Sequence, residues 1–234
     1  MSSKHPRTHP LVEVRGVEKV YPGGAKVAAV RGVDLDIARG EFTALAGPSG
    51  SGKSTLLNLI GTLDRPTKGD ILHDGRLVTK LDADQLSDFR LGALGFVFQA
   101  YNLIAVLTAV ENVEYPLILR GMGAQERRAQ ALQALKWVGL EGCADRRPDL
   151  LSGGQQQRVA VARAIVHRPA LVLADEPTAN LDSKTGGALL DLMQSLNAEH
   201  GVTFLFSSHD PAVLSRARRV VRLQDGELRG EDRR

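Results

Sequence analysis

The chain of 234 residues contains a single cysteine, Cys143. One cysteine can form neither a disulfide within the chain nor a zinc site built from cysteines, so the fold is not stabilised by either kind of crosslink. A scarcity of cysteine is typical of reducing compartments and favours the cytosol. A chain of this length needs no such crosslink, because it can bury a sizeable hydrophobic core.

The sequence also lacks any strong imbalance of charge. Lysine and arginine number 30 against 27 acidic residues, which gives a net charge of +3, and no long basic run is present. This balance does not indicate a nucleic-acid partner. The composition, 43% hydrophobic and 24% charged, is that of an ordinary globular protein of one or two domains.

Long apolar runs are scarce as well. The first ten residues have no apolar core, which predicts that they are not a signal peptide. The twenty residues of Leu91–Val110 carry no formal charge and are long enough on paper to span a bilayer. Gly92 and Gly95 interrupt a helical pattern, however, and polar groups inside a bilayer are expensive. We therefore expect the stretch to stay out of the membrane.

Hydrophobic patterning predicts an α/β chain. Residues 1–10 carry no pattern and are expected to form a flexible tail. Strand patterns dominate the first third, as at Val33–Ile37 and Phe42–Ala46, and strands alternate with helices in the last third, which predicts a mostly parallel sheet. The middle is mainly helical. It includes Pro116, which is expected to kink or end the helix that opens at Thr108.

A glycine-rich motif, G-x-x-x-x-G-K-S, follows a buried strand pattern and precedes a helical one. Glycines let backbone N–H groups approach phosphate oxygens closely, and a helix N-terminus adds donors and a positive dipole. Lys53 would supply a cation to the phosphates, and Ser54 a hydroxyl ligand to Mg²⁺. The alternative is a loop that merely caps a helix. The residues predicted to bind phosphate are Gly47, Pro48, Ser49, Gly50, Ser51, Gly52, Lys53, Ser54 and Thr55.

A second element of the same type reads Leu-Ser-Gly-Gly-Gln and ends at Gln155. Ser152 and two glycines stand at a predicted helix start, which suits phosphate binding equally well as a plain helix cap. Nothing in the sequence between the two elements indicates that they share one face.

Polar residues follow three of the predicted strands. Asp175 and Glu176 end the apolar run that begins at Leu171, Gln99 follows another strand, and His209 a third. Ligands collect at strand ends in open α/β sheets, so one acid can reach Mg²⁺ while the other polarises a water. The alternatives are a solvated acidic pair, a structural histidine and an ordinary surface amide.

Together these motifs resemble the nucleotide-binding subunit of an ATP-binding cassette (ABC) transporter, over nearly the whole chain. The matches occur in family order: Walker A at Gly47–Thr55, the Q-loop at Gln99, the signature at Leu151–Arg158, Walker B and the catalytic glutamate at Leu171–Glu176, the D-loop at Asn180–Asp182 and the switch histidine at His209. The resemblance implies a P-loop NTPase of ABC ATPase type. Such a fold has a mostly parallel sheet core, an antiparallel β subdomain and a helical subdomain.

The resemblance also implies ATP and Mg²⁺ as cofactors and assigns roles within one site. Lys53 would hold phosphates, Glu176 would act as general base, and His209 would contact the γ-phosphate. Tyr21 occupies the position of the aromatic residue that stacks on adenine. The residues implied around Mg²⁺, directly or through water, are Ser54, Gln99 and Asp175.

A second set of residues is implied to act across a homodimer. The signature residues would contact the ATP held by a second copy of the chain, and Asp182 in the D-loop would couple the two sites. This implies a head-to-tail sandwich around two nucleotides, which would explain two phosphate motifs in one short chain. The signature residues concerned are Ser152, Gly153, Gly154 and Gln155.

Within the family, the chain is most similar to the group of lipoprotein-release, macrolide-export and cell-division ATPases. The stretches Phe96–Ile104 and Leu107–Leu117 carry this likeness, as does Leu173–Asp182, where Ala179 replaces the more common glycine. The resemblance implies an integral membrane permease as partner, touched by the Q-loop region, and a peripheral location at the cytoplasmic face of the membrane. The transported substance is not readable from the sequence.

Three functions remain open. The chain could serve an export or lipoprotein-release transporter, or it could regulate a membrane-bound cell-wall hydrolase without transport. A soluble ABC ATPase of DNA repair or translation is disfavoured, since the chain has neither a long coiled-coil insertion nor a second cassette. The expected organisation is a tail at 1–10 and one cassette at 11–234. Within the cassette, 11–90 and 165–230 would form the core with its β subdomain, and about 91–164 the helical subdomain.

Overall fold

The computed structural model describes residues 9–22 and 27–234, so most of the predicted tail lies outside the described residues. The described strands are β1 Val12–Tyr21, β2 Val27–Ile37, β3 Phe42–Ala46, β4 Lys68–His73, β5 Arg76–Leu77, β6 Leu94–Val97, β7 Leu171–Ala174, β8 Thr203–Ser208, β9 Arg219–Gln224 and β10 Glu227–Arg233. The α-helices are α1 Lys53–Ile60, α2 Ala83–Ala93, α3 Ala109–Leu119, α4 Ala124–Trp137, α5 Gly153–Ile165, α6 Ser183–His200 and α7 Pro211–Leu214. Short 3₁₀ helices lie at Glu141–Cys143 and Pro148–Leu150.

The central sheet has six strands in the order β10-β9-β3-β8-β7-β6. All neighbours are parallel except the edge strand β10, which is antiparallel to β9, so the predicted mostly parallel sheet is confirmed. β6, the strand predicted before Gln99, pairs with β7 in this sheet, although its residues fall inside the part of the chain expected to form the helical subdomain. Because β3, β7 and β8 are neighbours, the segments that follow them meet at one edge.

The second sheet is antiparallel, with four strands in the order β2-β1-β4-β5. The Asp74–Gly75 turn between β4 and β5 forms the hairpin that the Asp-Gly pair predicts. The strands β1 and β2 are longer than the sequence pattern indicates, and their register pairs Tyr21 with Val27.

Both faces of the central sheet are covered. In β8, Phe204 and Phe206 belong to one hydrophobic cluster, which also contains residues of α3–α6. Leu205 points to the other face and belongs to a second cluster, which lies between α1 and the two sheets. Strands buried on both faces read as continuous apolar runs, as β3 and β7 do. This burial fixes the strand ends that carry the polar residues of the site.

Reciprocal side-chain caps start three helices, two of them at the predicted starts Thr108 and Ser152. Asp82 with Gln85, Thr108 with Glu111, and Ser152 with Gln155 each form a capping box. Of the two expectations for Pro116, a kink or a helix end, the helix end is wrong, because α3 continues to Leu119. The buried α3 residues Val113 and Leu117 flank the proline in sequence, and their packing in the core outweighs the loss of one N–H donor.

The charge-free stretch is divided among several elements. It contains the end of α2, all of β6, a loop that includes Gln99, and the start of α3. Within residues 9–22 and 27–234, no helix combines the length and apolarity needed to cross a membrane.

Candidate nucleotide site

The phosphate loop connects β3 to α1, as the motif predicts. Gly50 and Gly52 have positive φ angles of 79° and 101°, which glycine adopts without strain. A side chain at Gly52 would place its Cβ 2.3 Å from the Ala29 carbonyl oxygen, and one at Gly47 would lie 2.1 Å from that of Leu223. No side chain among the described residues caps α1, so the first N–H groups of the helix are available to an anion.

Lys53 is the first residue of α1, and its side chain is 7% exposed. Its amino group donates to the carbonyl oxygens of Gly47 and Pro48, at 2.8 and 3.0 Å. The same nitrogen lies 3.8 Å from Oε1 of Glu176. The cation therefore lies between the phosphate loop and the acidic end of β7.

Asp175 and Ser54 meet across the site. The Ser54 hydroxyl donates to Oδ1 of Asp175 at 2.9 Å, and the Ser207 hydroxyl donates to the same oxygen at 2.6 Å. Ser207 also accepts the backbone N–H of Glu176 at 2.9 Å. One hydroxyl from the neighbouring strand β8 thus fixes both consecutive acidic residues.

The two acidic residues have different contacts because β7 ends before them, at Ala174. Glu176 adopts a left-handed backbone conformation, with φ of 44°, and its carboxylate lies 2.9 Å from Nδ1 of His209. The Glu176 side chain is 17% exposed, whereas that of His209 is 66% exposed. A non-glycine residue at positive φ is uncommon and points to a functional constraint.

Four of these groups, Lys53, Ser54, Glu176 and His209, line one pocket of about 660 Å³, whereas Asp175 is outside its lining and contacts Ser54. Most of the phosphate loop, Gln99, Glu176 and His209 face it, so the structure brings these predicted residues together. Sequence reasoning missed the remaining lining, which comes from the start of β2, the residue before the D-loop and the turn between β9 and β10: Val27, Ala28, Ala29, Arg31, Ala179, Asp225 and Gly226.

The second phosphate-type element lies elsewhere. Ser152 is exposed at the N-cap of α5, where its hydroxyl accepts the N–H of Gln155 and its own N–H donates to the Gln155 amide oxygen. Neither residue lines the 660 Å³ pocket, and nor does Gly153 or Gly154. Within one chain, the structure keeps the two elements apart.

Asp182 and Tyr21 also lie outside the lining of the pocket. Asp182 caps α6, and hydrogen bonds from Thr185 lower the pKa of its carboxyl. Tyr21 ends β1 opposite Val27, which does line the pocket, and its hydroxyl donates to Asp64 at 2.9 Å. Desolvation, followed by the contact with Asp64, raises the pKa of this phenol.

A glycine-rich strand–loop–helix, followed at neighbouring strand ends by a serine–aspartate pair and a glutamate–histidine pair, defines a P-loop nucleotide hydrolase. The family model described as "ABC transporter" matches residues 30–179, and the chain belongs to that family. It is accordingly an ABC-type ATPase that binds nucleotide, as the sequence motifs predict.

Two relatives illustrate the range of the family. The chain is 47% identical to the uncharacterized ABC transporter ATP-binding protein MJ0796 of Methanocaldococcus jannaschii, covering 95% of this chain and 97% of that one. It is 49% identical to the macrolide export ATP-binding/permease protein MacB 1/2 of Paracoccus denitrificans, over 94% of this chain but only 33% of the relative. The expected likeness to the macrolide-export group is confirmed.

Solved structures agree with the fold. A dimeric post-hydrolysis state of the MJ0796 cassette, bound to ADP and Pi, matches with a TM-score of 0.87 at 47% identity, covering 95% of this chain and 98% of that one. The cassette cbiO1 from Clostridium perfringens matches with a TM-score of 0.86 at 27% identity, over 96% and 89% of the two chains. The predicted ABC ATPase fold is therefore confirmed.

Proposed function

We propose that this chain is the ATP-hydrolysing subunit of an export or lipoprotein-release type transporter. It forms a head-to-tail homodimer around two ATP–Mg²⁺ and drives a separate permease from the cytoplasmic face of the membrane. One observation carries the dimer: the phosphate loop lines the pocket, whereas the exposed Ser152 element does not. A second copy, turned head to tail, would bring that element to the first copy's nucleotide.

Within one copy, the pocket residues suit phosphoryl transfer to water, which depends on positioning and electrostatic stabilisation. Lys53 would leave its carbonyl partners to bind phosphate oxygens. Glu176 would accept a proton from the attacking water or orient it, with its carboxylate held by His209. His209 would contact the γ-phosphate, and Tyr21 would stack on the adenine.

Mg²⁺ suits the donors present. The Ser54 hydroxyl and the Asp175 carboxylate converge within 2.9 Å of each other, and both are hard oxygen donors. Mg²⁺ is usually bound through one or two carboxylates together with substrate phosphates, so these two residues and Gln99 would hold it. When bound, the ion would neutralise charge on the phosphates.

Relatives support the export assignment and the dimer. MacB 1/2 and the pyoverdine exporter PvdT of Pseudomonas fluorescens are named ATP-binding/permease proteins, and this chain spans about a third of their length, 33% and 34%. The MJ0796 cassette is described as dimeric. We take the cassette here to comprise residues 11–234, with about 91–164, apart from β6, as its helical part.

An apolar groove of about 500 Å³ beside the Q-loop would receive the permease. It is lined by Phe98, Ile104 and Pro116, together with the exposed side chains of Tyr115 and Leu119. Exposed apolar surface of this kind marks an interaction site. Because the groove begins at the segment that carries Gln99, an apolar segment of the permease bound there would lie next to the nucleotide pocket.

Affinity purification from detergent-solubilised membranes tests this function. The tagged chain should capture one integral membrane protein, and the groove variant L119D should lose it while keeping ATPase activity. L132D is the matched control, because Leu132 is also exposed but lies outside the groove. Failure to enrich a membrane protein, or its retention by L119D, would refute the assignment. Co-purification of a cell-wall hydrolase with the membrane protein would support mechanical regulation instead.

A further inference from the structure

Gln157 on α5 connects three motifs of the site through one side chain. It is fully buried, and its Nε2 donates to the carbonyl oxygen of Pro177 at 2.7 Å and to that of Phe98 at 3.4 Å. Pro177 directly follows Glu176, and Phe98 directly precedes Gln99. The helix that begins at the signature is thereby hydrogen-bonded to the backbone next to both of these polar residues of the pocket.

The amide nitrogen alone makes these contacts. Both partners are backbone carbonyls, which only accept hydrogen bonds, so the amide must present its NH₂ group to them. The amide oxygen of Gln157 has no hydrogen-bond donor among the described residues. Removing the NH₂ group would leave the Pro177 carbonyl oxygen without this donor, which is costly for a buried acceptor. The Phe98 carbonyl oxygen would keep the N–H of Tyr101, at 3.1 Å.

A second link joins the same two segments nearer the surface. The side-chain amide of Asn180 donates to the carbonyl oxygen of Gln99 at 2.9 Å, and the Tyr101 hydroxyl donates to that of Asn180 at 3.4 Å. The Q-loop and the segment after Glu176 are therefore held together at two places. Arg163 on α5 also donates to the carbonyl oxygens of Tyr101 and Asn102, at 2.9 and 2.6 Å. Among the described side chains of α5, however, Gln157 alone is hydrogen-bonded both to the Q-loop and to the segment after Glu176.

We propose that Gln157 is a positioning residue for ATP hydrolysis, which fixes Gln99 and Glu176 relative to the signature helix. It does not line the nucleotide pocket, so it acts on the geometry of turnover and not on the binding of ATP. A displacement of α5, or of the Q-loop, is passed through Gln157 to the catalytic glutamate. The inference rests on the role proposed above for Glu176.

The test compares Q157M with Q194M. Gln194 is the matched control, because its Nε2 also donates to a backbone carbonyl at 2.7 Å, that of Arg216, away from the pocket. For Q157M we expect kcat to fall at least tenfold, while the calorimetric Kd for ATP–Mg²⁺ stays within twofold of the parent value. Q194M should keep kcat and Kd within twofold, whatever it costs in thermal stability.

Q157E provides a second variant of nearly unchanged shape. A glutamate offers at most one proton to the two carbonyls, so kcat should again fall with Kd preserved. The proposal is overturned if neither variant lowers kcat, or if kcat and ATP affinity fall together with stability. The single variant E176Q distinguishes the proposed function from the proposed role of Gln157. If E176Q hydrolyses ATP as fast as the parent chain, the proposed function is refuted. A loss of turnover in E176Q, with normal kcat in both Gln157 variants, would refute only this inference.

Discussion

Ser207 lies at the contact between the two acidic residues, and its effect can be tested alone. In S207A, the N–H of Glu176 loses its acceptor and Asp175 loses one donor. A lost partner of this kind costs about 1–3 kcal/mol, so we expect kcat to fall about tenfold or more. Steady-state ATPase kinetics measure the change. S208A is the control, because Ser208 is equally buried in β8 but accepts the N–H of Asp210.

The sequence predicts Lys53, Asp175 and Glu176 better than it predicts Ser207, for a physical reason. The first three belong to local patterns in which residue type and spacing carry the chemistry. Ser207 reaches Asp175 only because β8 lies beside β7 in the sheet, and strand order is not written in local sequence. The Phe206-Ser-Ser sequence shows hydroxyls at a strand end, but not which acidic residue they contact.

His73 gives a pH-dependent prediction. Burial lowers the pKa of this imidazole to about 4, although its Nε2 contacts the carbonyl oxygen of Ile60 at 2.8 Å. The unfolded chain, with an ordinary pKa near 6.5, binds the proton more tightly, so the free energy of unfolding decreases as the pH falls from 6.5 towards 4. Between pH 7 and pH 5 this residue should cost about 2 kcal/mol, measured by urea unfolding.

The variant H73Q isolates that contribution. Glutamine keeps a donor for the Ile60 carbonyl but does not titrate. Between pH 7 and pH 5, the H73Q variant should therefore lose less free energy of unfolding than the parent chain, by the same amount. All other titrating groups are shared by the two chains. Equal losses in both would show that His73 is protonated as readily in the folded state as in the unfolded one.

At the scale of elements, two hairpins contain the same Asp-Gly turn but differ in what they touch. Asp74–Gly75 has φ angles of 51° and 74°, and Asp225–Gly226 has 52° and 81°. Only the second contacts the phosphate loop: the Gly226 N–H donates to the carbonyl oxygen of Ser51 at 3.1 Å. The Gly226 carbonyl also accepts the N–H of Arg31 on β2 at 2.8 Å. The last hairpin therefore supports the nucleotide pocket.

The substitution G226A should weaken ATP binding. Alanine at positive φ costs about 1–2 kcal/mol, and its Cβ would lie 3.0 Å from the Ala29 carbonyl oxygen, displacing the turn from the loop. We expect the calorimetric Kd for ATP–Mg²⁺ to rise about tenfold. G75A carries the same backbone strain with no described atom within 4 Å of its Cβ, so it should lower stability but leave the Kd unchanged. Equal Kd values for the two variants would contradict a supporting role.

Local signals predicted helix starts better than helix ends. The capping boxes at Asp82, Thr108 and Ser152 act within four residues, so sequence alone locates them. The helix does not end at Pro116, because the local cost of a proline in a helix competes with the packing of α3 against distant parts of the chain. The local apolar pattern before Gln99 predicts β6 as a strand. Its place in the central sheet depends on pairing with β7, which lies far along the sequence.

At the scale of the whole molecule, the proposed dimer explains how two separated phosphate-binding elements serve one reaction. In the proposed dimer, each nucleotide contacts Lys53 of one copy and the Ser152 element of the other. K53A should then weaken nucleotide binding by the monomer about tenfold to a hundredfold, since a hydrogen bond from a charged group is worth about 1.5–3 kcal/mol. S152R should leave monomer binding intact and abolish turnover. Calorimetry at low protein concentration separates the two effects.

E176Q makes the dimer itself observable. Glutamine keeps the shape of the side chain but cannot accept the proton, so ATP remains bound and the sandwich persists. Size-exclusion chromatography with ATP and Mg²⁺ should show twice the monomer mass for E176Q, and the monomer mass for the double variant E176Q with S152R.

The double variant E176Q with T108R is the matched control. Thr108 starts α3 with the same kind of capping box with which Ser152 starts α5, but it lies outside the signature. If T108R also prevents dimers, the loss reflects a damaged cap. If E176Q stays monomeric with saturating ATP, the head-to-tail arrangement is wrong, and the exposed Ser152 element acts only as the start of α5.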